Sequence, residues 1–295
     1  MDGNLVILAG GVSSRMRKPS AAKLDELLAR DADKRPKTMI RVGQENRPFL
    51  DFLLYNAKRA GYTDVVIVTG EHDASFKEYY GASERGNRFH GLTIGYARQR
   101  IPQGGTKPLG TADALLQALK ERPDWRGKRF TVCNGDNLYS RNALQQLLEV
   151  TSECAMIGYD REALQFAQGR IEQFAVVKSD PARRLLEILE KPTPAQFAAA
   201  KDGGGRISVS MNVFRFLYER IFSALERTPL HPVRLEKELA TAIMLMLKES
   251  PGCLLVIPLA EHVLDLTNRD DIINVARHLD KEFPVNFWRD KESRV

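Results

Sequence analysis

The sequence predicts an α/β protein with a doubly wound, mostly parallel mixed sheet flanked by helices. Short apolar, β-rich runs recur at residues 5–8, 64–69, 92–97, 130–133 and 154–158, and helix-like stretches at 49–60, 112–120 and 141–150 separate them. Strand and helix in alternation is the pattern of parallel strands joined by crossover helices. The first run empties into Leu8-Ala9-Gly10-Gly11-Val12-Ser13-Ser14-Arg15-Met16, a loop of small residues that ends in a cation. Sheets of this class bind ligands at the carboxyl ends of their strands, and this loop lies there.

Beyond residue 160 the pattern changes to hairpin-like strands at 173–178 and 185–189, then a polar loop containing Gly203–Gly205 and a strand over 207–216. Helices are expected at 217–226 and 233–248, strands near 254–258 and 263–266, and a last helix at 268–281. No repeat or low-complexity linker divides the chain. A single domain over 1–295 is expected, its halves meeting near residue 150.

Composition excludes several classes. With 43% hydrophobic and 28% charged residues among 295, the chain suits a globular protein with a large core. It has no apolar run of membrane-spanning length, and Met1-Asp2 does not begin a signal peptide, so no membrane partner and a cytoplasmic location are expected. Cys133, Cys154 and Cys253 lack metal-ligand spacing and read as reduced core thiols. The net charge of +6 suits anionic substrates. Basic residues come in scattered pairs such as Arg17-Lys18 and Arg183-Arg184 without interleaved aromatics, which argues against nucleic acid as a partner. The five histidines show no ligand spacing, and no Ser-His-Asp arrangement suggests itself.

The opening loop reads as a phosphate-handling loop, with an ordinary strand-to-helix turn as the alternative for its glycines alone. Glycine lets backbone amides turn inward on an anion, and Arg15 offers two donors to phosphate oxygens. Its spacing matches neither the Gly-x-x-x-x-Gly-Lys loop nor the dinucleotide fingerprint. Lys37, in Arg35-Pro36-Lys37, is a mobile point charge suited to a second grip on phosphate, or else a solvated lysine at a turn. Gln99 could pair with a base edge through both donor and acceptor, Gly110 would let backbone approach the base, and Thr111 would cap the helix that follows. Asp136, in Asn134-Gly135-Asp136-Asn137, follows a strand on a glycine turn, well placed for a hard cation or for plain turn chemistry. Asp265 ends another apolar run, with Asn268 a candidate cap for the next helix.

Taken in order, these motifs resemble the sugar-phosphate nucleotidyltransferases (nucleoside-diphosphate-sugar pyrophosphorylases), over nearly the whole chain from Leu5 to about Leu279. The opening loop is similar to their Leu-Ala-Gly-Gly-x-Gly-Thr-Arg-Met, with Ser13 in place of the third glycine. Lys37 stands for their Pro-Lys pair, displaced by a charged, helix-prone insertion at 18–34 that could be a flap or an oligomer contact. Gly110-Thr111-Ala112-Asp113-Ala114 is similar to their base-binding helix start, and Glu190-Lys191-Pro192 to their Glu-Lys-Pro. Asp265 and Asp271 match the ends of Asp-Ile-Gly-Thr-Pro-x-Asp, with Thr267 where glycine is usual.

The resemblance implies a Rossmann-like nucleotide-diphospho-sugar transferase fold, with an NTP-binding half at 1–150 and a sugar-phosphate half at 151–295. It implies NTP contacts at Leu8, Gly10, Gly11, Ser13, Ser14, Gln99, Gly110 and Thr111. Arg15, Lys37 and Asp136 are the implied catalytic residues, and Asp136 with Asp265 the implied Mg²⁺ site. Glu190, Lys191, Asn212 and Gly158 are implied to meet the sugar phosphate. The partners are an NTP and a sugar 1-phosphate; a homo-oligomer is compatible with the family. Neither a hexapeptide-repeat domain nor a cytidylyltransferase signature is expected. Gly-Thr-Ala-Asp-Ala with Ser210-Met211 leans toward adenylyl or uridylyl transfer, with UTP and glucose 1-phosphate favoured. Two rivals stay open. One is a nucleotide-sugar-binding regulator without turnover, suggested by Ser13, Thr267 and the insertion; the other is a nucleotidyltransferase for a non-sugar acceptor such as phosphocholine.

Overall fold

A computed structural model describes residues 2–11, 15–18, 24–71 and 74–289, with backbone alone at Gln168. Asn4–Leu8 runs between two parallel neighbours, Arg129–Asn134 and Asp64–Gly70, and Leu92–Gln99 continues the parallel set. Strands enclosed in this way are covered on both faces, which is why they read as continuous Val/Ile/Leu runs. Past Arg129–Asn134 the sheet becomes mixed. Val213–Leu217 lies antiparallel to both Arg129–Asn134 and Cys154–Asp160, and Leu254–Leu259 lies parallel to Cys154–Asp160. Ser208–Val209, Val176–Ser179 and Leu185–Leu189 extend this side in antiparallel steps, and Asn87–Phe89 closes the other edge.

The two-residue alternation of strand side chains builds two cores. Leu5, Ile7, Val65 and Ile67 pack with the helices Phe49–Ala60, Arg141–Glu149 and Asp271–Glu282 on one face. Val6, Val66 and Val68 pack with Thr111–Glu121, Tyr218–Arg227 and Leu239–Glu249 on the other. Helices on both faces make the sheet doubly wound, as expected. Cys133 and Cys154 are buried, Cys253 is half-buried, and all three are free thiols. Among the described residues, no helix is long and apolar enough to cross a membrane.

Three later elements differ from expectation. The strand over 207–216 is interrupted: Val209 faces Tyr159 and Phe214 faces Met156, so five steps along one strand span three along the other. The surplus is taken up at 210–212, where Asn212 has a φ of 55°. The helix over 233–248 begins only at Leu239, because backbone bonds from His231 to Glu236 and from Leu235 to His231 hold the preceding segment in turns. The strand at 263–266 shortens to Leu264–Asp265, antiparallel to Asn137–Leu138.

Candidate active site

A cleft of about 680 Å³ opens at the carboxyl ends of Asn4–Leu8, Leu92–Gln99 and Arg129–Asn134. Leu8, Gly10 and Gly11 form one wall. A Cβ on Gly10 would stand 3.0 Å from the Thr69 carbonyl carbon, so glycine lets the loop leave the sheet beside its neighbour. Around Gly11 a Cβ would meet none of the described residues within 4 Å. Lys37 and Thr38 enter from the 3-10 turn Lys37–Met39, and Asp136 from the turn after Arg129–Asn134. Lys37 Nζ and the Asp136 carboxylate form an ion pair.

Asp136 and Asp265 are drawn together by the small ribbon that follows. Asp265 pairs in register with Asn137, and the Leu266 N–H donates to the Asp136 carbonyl at 2.8 Å. Burial, then the Asp136 charge, push the Asp265 carboxyl above the usual carboxylate range; a Thr267 hydroxyl bond and Arg170 oppose them. Arg170 grips Asp265 at 2.8 Å and Asp271 at 2.7 Å. Asp271, rather than Asn268, fastens the start of the last helix: it accepts from the N–H groups of Thr267 and Asn268 at 3.0 and 2.6 Å.

Two hard carboxylates whose like charges press on each other fit a divalent cation that takes its other ligands from phosphate and water. Among the described residues no group of three or more His, Cys, Asp or Glu is placed to hold a metal ion. Arg170→Ala should cost about 2 kcal/mol of stability, because it leaves a largely buried carboxylate without its cation. Urea denaturation measures this, and Arg170→Lys should recover part of it.

The corner opposite Lys37 is built from Gln99, Gly110 and Thr111. The Gln99 side-chain amide donates to the Gly110 carbonyl at 2.7 Å and to Asp113 Oδ2 at 3.0 Å. Its amide donors are therefore engaged within the protein, and among the described residues no hydrogen bond to Oε1 is seen. Thr111 does not cap its own helix, whose N-cap is Gly110. Its hydroxyl accepts the Leu239 N–H at 3.0 Å and so caps the helix Leu239–Glu249.

Glu190 and Asn212 bring the second half of the chain to the cleft. Arg234, Glu236 and Glu238 line it as well, unforeseen because they fall where a helix was expected. Arg234 lies 2.7 Å from Glu238 and 3.8 Å from Glu190. Not every candidate gathers there. Arg15 and Lys191 are exposed and do not line the cleft, nor does Asp265. Gly158 is buried, and a Cβ on it would stand 2.7 Å from Val256, so its glycine serves strand packing rather than ligand approach. Ser13 and Ser14 lie outside the described residues.

Residues 4–250 match the model of the nucleotidyl transferase family. The chain belongs to that family. As a nucleotidyl transferase family member it is 28% identical over 134 residues to D-glycero-alpha-D-manno-heptose 1-phosphate guanylyltransferase of Aneurinibacillus thermoaerophilus, covering 45% of this chain and 46% of that one. It is 27% identical over 227 residues to glucose-1-phosphate adenylyltransferase of Histophilus somni, covering 74% and 48%. The chain thus spans about half the length of the curated relatives it matches. The fold is shared with UDP-glucose pyrophosphorylase from Acinetobacter baumanii, at a TM-score of 0.68 and 17% identity over 98% of this chain and 97% of that one.

Proposed function

We propose that the protein transfers a nucleotidyl group from an NTP to a sugar 1-phosphate, giving an NDP-sugar and pyrophosphate with Mg²⁺ as cofactor. The observation that carries this reading is one cleft lined by a glycine loop, a lysine paired with an aspartate, a glutamine with a free acceptor, and polar residues from the second half. Residues 1–150 would bind the NTP and 151–295 the sugar phosphate. A sugar-phosphate oxygen attacks the α-phosphorus in line, the bond to the β-phosphate oxygen breaks, and pyrophosphate leaves. The nucleophile is already an anion, so no general base is needed.

Catalysis then rests on orientation and charge neutralisation. The amides of Gly10 and Gly11 would cradle phosphate oxygens, and Lys37 would offset charge on the leaving and attacking groups; Arg15, exposed outside the cleft, would do so only with its side chain turned inward. Asp136 and Asp265 would hold Mg²⁺, which supplies positive charge to the phosphates when bound. Gln99 Oε1 would accept an N–H from the base, and Glu190 and Asn212, which line the cleft, would meet the sugar phosphate, with Lys191 joining them only with its side chain turned inward.

The relatives' names span guanylyl, adenylyl and UDP-sugar chemistry. We take UTP with glucose 1-phosphate as the first pair to assay. Pyrophosphate release is measured across the four NTPs and dTTP, each against a panel of sugar 1-phosphates and phosphocholine. Release with one nucleotide and a sugar 1-phosphate is the expected result. Release with phosphocholine alone would reassign the acceptor. Silence across the panel, with nucleotide-sugar binding by calorimetry, would overturn transfer in favour of a binding protein.

A further inference from the structure

We infer that the helix Glu26–Lys34, within the insertion ahead of Lys37, is a strut that fixes the spacing between Lys37 and Asp265, with Asp31 and Asp33 as its positioning residues. The inference rests on the proposed transfer reading for what that spacing is used for, not for the spacing itself.

The helix is not a loose flap. Asp25 caps it by accepting the Leu28 N–H at 2.8 Å. Ala32 is fully buried in the same core cluster as Ile40 and Leu266, and Leu28 packs against that cluster. Successive helical residues turn by about 100°, so Asp31 and Asp33 point to nearly opposite sides.

Asp31 is 2% exposed. It accepts from Arg41 Nε at 2.7 Å, Nη2 at 2.8 Å and the backbone N–H at 3.2 Å, with Arg35 Nε a further 3.2 Å away. Burial would raise this carboxyl, but the Arg41 bonds and the two guanidinium charges outweigh it and hold the carboxyl below the usual range. It is therefore ionised at neutral pH and tightly held. Asp33, on the outer side, meets Arg269 at 2.6 Å.

The two anchors sit symmetrically in sequence. Arg41 comes four residues after Lys37, and Arg269 four residues after Asp265. The helix thus ties two separate loops whose functional groups both converge on Asp136, one by an ion pair and one by the register of a two-strand ribbon. A gap between a lysine and a carboxylate that must admit phosphate oxygens is sensitive to small displacements, since misplacement by about 1 Å can cost on the order of a hundredfold in rate.

The test reverses the outer anchor. Asp33→Arg and Arg269→Asp each juxtapose like charges, and the double variant restores attraction. Each single change should weaken Mn²⁺ binding to the nucleotide-free protein, read by electron paramagnetic resonance, by about tenfold, as loss of an outer-shell support does. The Mg²⁺ needed for half-maximal turnover should rise by the same factor while the KM for NTP stays unchanged. The double reversal should restore both. Asp31→Asn, at the Lys37 end, should lower kcat by about tenfold with KM unchanged, since it moves a group that acts on the reacting charges.

Wild-type Mn²⁺ affinity in both single variants, or a double variant no better than the singles, would overturn the strut while leaving transfer intact. The expected Mn²⁺ pattern in a protein without transfer activity would uphold the strut and overturn the transfer reading.

Discussion

Asp136→Asn should lower kcat by about 10²–10³ while leaving the fold intact, the scale seen when one charge-stabilising contact is removed from a preorganised site. The substitution is isosteric and the side chain faces the cleft, so no packing is lost. What changes is charge. Lys37 loses the carboxylate that now holds it. The Asp265 carboxyl, held up by burial and then by the Asp136 charge, keeps only the first of those effects. The pair that fits a divalent cation becomes a single carboxylate, so the Mg²⁺ requirement should rise along with the fall in kcat. Asp136 is half-buried and paired with Lys37, so circular dichroism should match the wild type and urea denaturation should shift by no more than about 1 kcal/mol, the scale of one partly solvated ion pair. An Asp136→Asn protein that retains a third or more of its activity would remove Asp136 from the proposed mechanism.

The sequence carried the parallel core and the position of the cleft, for a physical reason. Central parallel strands must be apolar on both faces, so residues 5–8, 64–69 and 130–133 announce themselves. Small or charged residues just past their ends are then visible as departures from that pattern. The less legible parts are held by contacts between segments far apart in the chain. Thr111 caps a helix whose first residue is 128 positions away, and nothing near Thr111 signals it. Arg234 and Glu238 lie in a stretch with helical composition that backbone bonds keep out of a helix. Gln99 was legible as a polar residue at a strand end, but the engagement of its amide donors depends on Asp113 and on the Gly110 carbonyl. Gly158 misleads in the opposite sense: a glycine in a strand suggests room for a ligand, whereas here Val256 fills it.

Gly110→Ala should be the most damaging single change at the Gln99–Thr111 corner, costing about 2–4 kcal/mol of stability from a strained backbone together with a clash. Gly110 has φ 97° and ψ −172°, a region essentially closed to residues with a Cβ. An added methyl would lie 2.8 Å from the Lys237 carbonyl oxygen and 3.0 Å from Glu236 Cβ, so neither the residue nor its neighbour can keep its place. That neighbour is half of a backbone clasp. Lys237 donates its N–H to the Leu109 carbonyl at 2.5 Å, and its carbonyl accepts the Ala112 N–H at 2.9 Å. Opening the clasp also shifts the Gly110 carbonyl that orients Gln99 and the Thr111 hydroxyl that caps Leu239–Glu249.

Strain and misplacement of Gln99, the group proposed to meet the base, should therefore appear together. The KM for NTP should rise by about tenfold or more while the KM for sugar phosphate moves less, since a 1.4 kcal/mol loss of binding is already tenfold. Gly11→Ala supplies the contrast in stability, because its Cβ would meet none of the described residues within 4 Å and should cost within about 0.5 kcal/mol. Equal unfolding midpoints for the two variants would mean that the 109–112 and 236–239 segments do not hold each other in solution. The Gln99 wall of the cleft would then need another support.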